Sequence, residues 1–243
     1  MSPPGIVIEN LGLCYAGESI FENLNLSLPA GRFSVLLGPS GVGKTSLLRI
    51  IAGLEAPAEG SVRAQDGAKL AGRVAYMAQQ DLLLPWAGAL DNVMLGAALR
   101  GERRDPRRAE ALLQRVGLGH RMRALPATLS GGERQRVALA RTLYEDRPVV
   151  LMDEPFSALD AISRARIQDL AAELLAGRTV LLITHDPLEA CRLGHSLSVL
   201  AGNPATLAAP LAVPGPPPRA PDDDAVLHMQ GELLRRLAAL SPA

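Results

Sequence analysis

The sequence predicts an α/β fold with a parallel sheet, and three features of the chain support this. Strand-like apolar runs alternate with helical patterns. A glycine-rich loop stands between an apolar run and a helical pattern, and an acidic pair ends a later apolar run. The chain has 243 residues, 48% of them hydrophobic, which is enough to bury the core of one large domain or of two closely joined ones.

Three strand-like runs open the chain, at residues 6–13, 24–28 and 33–37. Turn-forming residues lie between them. The third run leads directly into the glycine-rich loop, after which apolar residues recur at helical spacing as far as Gly53. The loop is therefore expected where a strand turns into a helix.

From residue 81 to about residue 145 the pattern is mainly helical, and prolines and glycines divide it into short helices. Strand-like runs return at residues 149–152, 180–184 and 197–200, with a helical pattern at about 161–175. This alternation indicates a parallel sheet with crossover helices. We interpret the helical block as an insertion into that sheet.

The composition limits the possible partners and location. The formal net charge is zero, so no overall field attracts nucleic acid, and no nucleic acid is expected as a partner. The apolar runs are far shorter than the ~20 residues that span a bilayer, and the N-terminus lacks the pattern of a signal peptide. Cys14 and Cys191 lack metal-ligand spacing, and we assign them no chemistry.

Residues 38–45 read GPSGVGKT, a full match to the phosphate-loop pattern GxxxxGK[ST]. Its glycines allow successive backbone N–H groups to converge on phosphate oxygens, and the following helix adds the positive end of its dipole. Lys44 is expected to reach the β- and γ-phosphates, and the hydroxyl of Thr45 to ligate Mg²⁺. The expected nucleotide-binding residues here are Gly38, Pro39, Ser40, Gly41, Val42, Gly43, Lys44, Thr45 and Ser46.

Asp153 and Glu154 directly follow the apolar run at residues 149–152. A buried strand would hold Asp153 beside the phosphate loop, where it is expected to anchor Mg²⁺ through water. Glu154 could deprotonate a water in line with the γ-phosphate, a role typically worth about 10²–10⁴-fold in rate. The pair therefore indicates hydrolysis and not nucleotide binding alone.

Residues 129–136 read LSGGERQR. A serine hydroxyl and glycine N–H groups at the start of a helix, expected near Glu133, form a second anion site. One chain does not need two sites for a single γ-phosphate. The order of the phosphate loop, this segment and the acidic pair resembles the ATP-binding cassette family.

The resemblance covers residues 6 to about 200 and implies an ATP-hydrolysing subunit of a membrane transporter. It implies an α/β P-loop NTPase core with a parallel sheet, an N-terminal antiparallel β part and an inserted helical subdomain. The ATPase domain would span residues 1–205, with the helical subdomain at about 81–145. A proline-rich linker and a C-terminal helix would occupy residues 206–243.

The resemblance also implies partners and a location. These are a second copy of the chain in an ATP-sandwich dimer, an integral membrane permease and, indirectly, a solute-binding protein. The subunit would be peripheral, at the cytoplasmic face of the inner membrane. The implied cofactors are ATP and Mg²⁺.

Further residues receive roles from the resemblance. Gln79 would sense Mg²⁺ and the attacking water, with Gln80 as its immediate neighbour, and His185 would contact the γ-phosphate. Tyr15 would stack on adenine, although a core tyrosine is the alternative. The implied catalytic residues are Glu154, His185 and Gln79, and the implied metal ligands are Thr45, Gln79 and Asp153.

The segment from Ser130 through Gly131 to Gly132 would grip ATP bound to the opposite protomer, and Asp160 would report across the same interface. Glu133 stands where the family usually has glutamine. This departure affects the ribose contact implied for that side chain and leaves the γ-phosphate contact in place.

Residues 79–86 read QQDLLLPW and resemble importers of nitrate, sulfonates, taurine and thiamine precursors, in particular those assigned hydroxymethylpyrimidine. An exporter ATPase of the lipoprotein-release or efflux type is the alternative. A DNA-repair cassette would carry a long coiled coil, for which the helical block offers only short helices. Trp86 is expected either against the permease or in the core of the insertion.

Overall fold

The computed structural model describes residues 3–240, apart from the side chain of Leu240. Within that range the strands, in chain order, are β1 Ile6–Tyr15, β2 Glu18–Leu28, β3 Phe33–Leu37, β4 Glu59–Ala64, β5 Val74–Met77, β6 Val149–Asp153, β7 Thr179–Ile183, β8 Ser196–Gly202, β9 Ala205–Leu207 and β10 Leu211–Ala212. The helices are α1 Lys44–Ile51, α2 Ala89–Val93, α3 Leu95–Leu99, α4 Pro106–Arg115, α5 Gly131–Tyr144, α6 Ala161–Leu174, α7 Pro187–Leu193 and α8 Asp224–Leu240.

The strands form one mixed sheet in the order β4-β1-β2-β9-β8-β3-β7-β6-β5, and β10 pairs with β8. Strands β8, β3, β7, β6 and β5 are parallel to one another. Strands β4, β1 and β2 are antiparallel, and β9 joins them to β8. The expected parallel core and antiparallel N-terminal part are therefore confirmed.

The three central strands β3, β6 and β7 are buried along their whole length because apolar layers cover both faces of the sheet. In β6, Val150 and Met152 point into one layer, which also holds residues of α5, α6 and α7. Val149 and Leu151 point into the other, with residues of α1 and of the antiparallel strands. This alternation fixes the end of β6, and with it the position of the acidic pair.

The helical insertion starts later than its sequence pattern indicates, because residues 78–88, between β5 and α2, form a loop. The fully buried side chain of Asn92 holds this loop. Its Oδ1 accepts from the backbone N–H of Leu84 at 2.7 Å, and its Nδ2 donates to the carbonyl oxygens of Ala87 at 2.9 Å and Gly88 at 3.1 Å. One polar side chain of α2 thus satisfies the hydrogen-bonding backbone groups of this turn.

The chain after residue 205 packs against the sheet. Strand β10 pairs with β8, and α8 packs on α7 and β8 through buried residues that include Val226 and Leu233. Arg219 is buried, and its guanidinium donates to the carbonyl oxygens of Val213 (2.9 Å), Cys191 (2.9 Å) and Gly194 (2.9 Å). It thereby satisfies carbonyl groups at the end of α7 that have no partner within the helix. None of the helices in the described range is long and apolar enough to cross a membrane.

Candidate site for nucleotide binding and hydrolysis

The phosphate loop lies between β3 and α1, as its sequence predicts. Gly43 is the N-cap of α1 and has φ 101°, a conformation that side chains disfavour. A Cβ on Gly43 would lie 2.7 Å from the side chains of Ile20 and Phe21. Glycine is therefore required here both by the backbone conformation and by the packing of β2 against the loop.

Lys44 is the first residue of α1, and only 8% of it is exposed. Its Nζ donates to the carbonyl oxygens of Gly38 at 2.9 Å and Pro39 at 2.7 Å. Burial lowers the pKa of Lys44, and the nearby carboxylates of Glu154 and Asp153 oppose this shift. The ammonium group is thus held inside the curve of the loop, where it can meet an anion.

Thr45 and Asp153 meet where α1 begins and β6 ends. The hydroxyl of Thr45 donates to Oδ2 of Asp153 at 2.6 Å, and Asp153 is 2% exposed. Burial raises the pKa of the Asp153 carboxyl group, and the hydrogen bond from Thr45 opposes this. A hydroxyl and a carboxylate side by side are oxygen ligands of the kind that Mg²⁺ uses when phosphates complete its shell, so these residues fit the ion.

Glu154 lies at the centre of a cluster built from the carboxyl ends of three neighbouring strands. Its Oε2 is 3.2 Å from Nδ1 of His185, after β7, and accepts from Nε2 of Gln79, after β5, at 3.4 Å. It is Gln79, and not its neighbour Gln80, whose side chain reaches this carboxylate. The structure thus brings together all three residues expected to be catalytic.

The backbone around Glu154 is held in an unusual conformation. Glu154 has φ 48°, which is uncommon for a residue other than glycine. Its N–H donates to the carbonyl oxygen of Ile183 at 2.9 Å, and its carbonyl oxygen accepts from Nε2 of Gln135 at 3.0 Å. Neighbouring elements therefore impose the direction of the side chain.

Gln135 was not singled out by the sequence analysis. It lies on α5, is 5% exposed, and also accepts from the backbone N–H of Ala158 at 2.8 Å. A polar residue on the apolar face of a helical pattern was the available signal.

The Ser130 segment begins α5 with a capping box, which explains why the helix starts at Gly131, earlier than expected. Oγ of Ser130 accepts from the N–H of Glu133 at 3.2 Å, and Oε2 of Glu133 accepts from the N–H of Ser130 at 2.8 Å. The N–H of Ser130 is the main cause of the lowered pKa of Glu133. The residue that departs from the family pattern thus completes the cap of its own helix.

The described hydrogen bonds do not join Ser130, Gly131 or Gly132 to the phosphate loop of the same chain. Asp160 is the N-cap of α6, and its Oδ1 accepts from the N–H of Ser163 at 3.0 Å. Within the described residues, hydrogen bonds therefore do not join these residues to the cluster around Glu154, although Gly131 lines one cavity with Gln79.

Two aromatic residues are accessible at the surface. Tyr15 ends β1 and is 46% exposed, and its hydroxyl contacts the carboxylate of Glu55. Trp86 is 75% exposed. The alternatives of a core tyrosine and a core tryptophan are therefore wrong, and both rings are free to meet a ligand or a partner.

Comparison with known proteins connects this geometry to a family. Residues 21–157 match the family described as ABC transporter. The chain belongs to the ABC transporter family. This ABC protein is an ATP-binding ATPase subunit, which confirms the resemblance seen in its motifs.

Alignments with similar ABC proteins cover almost the whole chain. An uncharacterized ABC transporter ATP-binding protein of Haemophilus influenzae is 42% identical, over 95% of this chain and 97% of its own. An aliphatic sulfonates import ATP-binding protein, SsuB 1, of Rhodococcus jostii is 43% identical, over 95% of this chain and 92% of its own.

Solved structures support the same ABC fold. The ATP-binding cassette MJ0796, in a dimeric post-hydrolysis state bound to ADP and Pi, has a TM-score of 0.77 and 30% identity, covering 86% of this chain and 99% of its own. A bacterial Atm1-family ABC exporter with ATP bound has a TM-score of 0.79 at 23% identity, covering 98% of this chain and 41% of its own. The latter likeness shows the fold alone.

Proposed function

We propose that this subunit hydrolyses ATP at the Glu154 cluster and so powers uptake of a small solute through an integral membrane permease. The observation that carries the proposal is the meeting of Glu154, Gln79 and His185 at the carboxyl ends of adjacent strands, beside the phosphate loop. Ligands of open α/β sheets bind at this edge.

The phosphate loop and its neighbours form the cradle for ATP. Lys44 neutralises the β- and γ-phosphates, residues 38–46 other than Pro39 supply backbone N–H groups, and Tyr15 stacks on the adenine. Thr45, Asp153 and Gln79 would hold Mg²⁺. The ion would supply charge neutralisation to the phosphates.

Glu154 acts as the general base. Its carboxylate accepts the proton of the water that attacks the γ-phosphate, and Gln79 orients the same water through its amide. His185 donates a hydrogen bond to the γ-phosphate while it contacts Oε2 of Glu154. Neighbouring elements hold the backbone of Glu154, so its carboxylate is oriented before the water arrives. Such orientation of a reacting group lowers the barrier.

The active site requires two chains. The N–H groups of Gly131 and Gly132 lie in the first turn of α5, where a helix offers them no acceptor. Within the described residues, the Ser130 segment makes no hydrogen bond to its own phosphate loop. In a head-to-tail dimer, Ser130, Gly131 and Gly132 would contact the γ-phosphate held by the partner subunit, with Asp160 at the same interface. The dimeric state of the similar cassette MJ0796 supports this arrangement.

Ser130→Arg is expected to abolish hydrolysis while an isolated subunit still binds ATP, because the large cation fills the place of the partner's γ-phosphate. Mixing this variant with Lys44→Ala should restore ATP-dependent dimerisation, since each mixed dimer has one complete composite site. Phosphate release and light scattering measure the two effects.

The control for added charge is Ser61→Arg, which changes an exposed serine of β4, the strand at one end of the sheet. It should hydrolyse ATP normally. Hydrolysis by Ser130→Arg at the wild-type rate would contradict the two-chain site.

The names of the similar proteins favour import. Several relatives are called aliphatic sulfonates import ATP-binding proteins. We therefore propose an aliphatic sulfonate as the solute, ahead of nitrate and the thiamine precursor hydroxymethylpyrimidine, and ahead of an export function. A solute-binding protein would deliver it to the permease, and the subunit would lie on the cytoplasmic face of the inner membrane.

Trp86→Ala is expected to reduce uptake of a labelled aliphatic sulfonate by about tenfold in cells that carry the permease. A large exposed aromatic residue is typical of an interface centre, and Trp86 lies beyond Gln79 on the same loop. ATP hydrolysis by the isolated subunit should be unchanged.

Leu227→Ala provides the control, because it removes an exposed apolar side chain from α8. Uptake by Trp86→Ala equal to that of Leu227→Ala would place the permease contact elsewhere.

A further inference from the structure

The loop between β5 and α2 connects the catalytic cluster to the surface. Gln79 lies at its beginning, against Glu154, and the exposed Trp86 lies near its end. Between them Leu82 has φ 46° and is largely exposed. The left-handed backbone conformation costs free energy for a leucine, and it persists only where the surrounding structure imposes it.

Two arginines of α5 impose it. Nε of Arg134 donates to Oδ2 of Asp81 at 2.9 Å. Arg141, about two turns further along the same helix, donates to the carbonyl oxygens of Asp81 at 2.6 Å and Leu82 at 2.9 Å. The other carboxylate oxygen of Asp81 accepts from the N–H of Leu83 at 3.2 Å. Arg141 thus contacts the backbone of the loop, whereas Arg134 contacts a loop side chain, that of Asp81.

The same helix also holds the other half of the cluster. Gln135, adjacent to Arg134 in sequence, donates to the carbonyl oxygen of Glu154 at 3.0 Å. Helix α5 therefore contacts both the loop that carries Gln79 and the loop that carries Glu154. Because a helix is stiff over this length, its two contacts fix the separation of these loops.

We propose that Asp81 is a positioning residue for ATP hydrolysis: its contact with Arg134 ties the Gln79 loop to α5 and so sets Gln79 against Glu154. Since α5 begins with the Ser130 segment, the contact also ties the Gln79 loop of one composite site to the segment that the same chain supplies to the other site. The proposal rests on the proposed function. It assigns to Asp81 no contact with ATP, metal or water.

The ion pair between Asp81 and Arg134 is partly exposed, with 31% and 37% of the two side chains accessible. Such pairs contribute little to overall stability. Removing its charge should therefore move the loop without unfolding the protein.

Asp81→Asn is expected to lower kcat by about tenfold and to change the KM for ATP by less than about twofold, because a small misplacement of an orienting group costs rate and not binding. Asp66→Asn is the matched control. It removes a similar carboxylate–guanidinium contact, between Asp66 and Arg73 at 2.6 Å, and should leave kcat unchanged.

A double-mutant cycle shows whether Asp81 acts through Gln79. In a Gln79→Ala background, Asp81→Asn should change kcat by less than about twofold. Wild-type kcat in the single Asp81→Asn variant, or an equal tenfold loss in both backgrounds, would overturn the proposal.

Hydrogen exchange gives a readout that does not need activity. Peptides covering residues 78–84 should exchange faster in Asp81→Asn than in the wild type or Asp66→Asn, and unchanged exchange also overturns the proposal. Glu154→Gln separates the two levels of inference. If that variant hydrolyses ATP at a near-normal rate, the proposed function fails; if it is at least ~10²-fold slower and Asp81→Asn is normal, only the role of Asp81 fails.

Discussion

Glu154→Gln is expected to hydrolyse ATP at least ~10²-fold more slowly than the wild type while it still binds ATP. Glutamine has nearly the same shape but cannot accept the proton of the attacking water. The phosphate loop, Lys44 and the Thr45–Asp153 pair are untouched, so the closed dimer should persist with ATP. Phosphate release measures the rate, and size-exclusion chromatography with ATP and Mg²⁺ measures the dimer.

Glu173→Gln is the control, because it makes the same chemical change at an exposed residue that pairs with Arg115 at 2.7 Å. It should turn over normally. Near-normal turnover in Glu154→Gln would exclude Glu154 as the base.

Lys44→Ala is expected to weaken ATP binding itself, by at least ~10-fold, because hydrogen bonds from a charged donor to phosphate are each worth about 1.5–3 kcal/mol. Lys44 is the cation that the phosphate loop holds in place, through the carbonyl oxygens of Gly38 and Pro39. The variant keeps the backbone N–H groups and the other proposed phosphate contacts but loses the ammonium group of the loop. Calorimetric titration with ATP measures the change.

The chain offers a matched control for this variant, since Lys69 is the one other lysine in the sequence. Lys69→Ala removes an identical charge elsewhere and should bind ATP normally. An unchanged affinity in Lys44→Ala would mean that the loop does not bind nucleotide as proposed.

Short-range patterns predicted most of the parallel core. Strands β3, β6 and β7 are mainly apolar; the phosphate loop follows β3 directly, and the pair Asp153-Glu154 stands at the end of β6. Position along the chain was therefore enough to place these groups at one edge of the sheet.

Other features depend on contacts between distant residues, which a single sequence does not display. Strand β4, at Glu59–Ala64, was missed because it is mostly exposed and lacks an apolar alternation. The contact of Asp81 with Arg134 joins residues 53 positions apart. Arg219 would be read as a surface charge in a proline-rich stretch, yet its partners include the backbone carbonyl groups of Cys191 and Gly194, more than twenty residues earlier in the chain.

The burial of Arg219 has a consequence for how the chain is made. The ribosome synthesises α7 well before it synthesises Arg219, so the carbonyl groups at the end of α7 must wait for their donor. During that interval the apolar surface that α8 later covers is also open to water. Strand β3, which leads into the phosphate loop, lies between β8 and β7 in the sheet. A nascent chain must therefore make both of those strands before its nucleotide cradle is complete, and the contacts of Arg219 and α8 are added last.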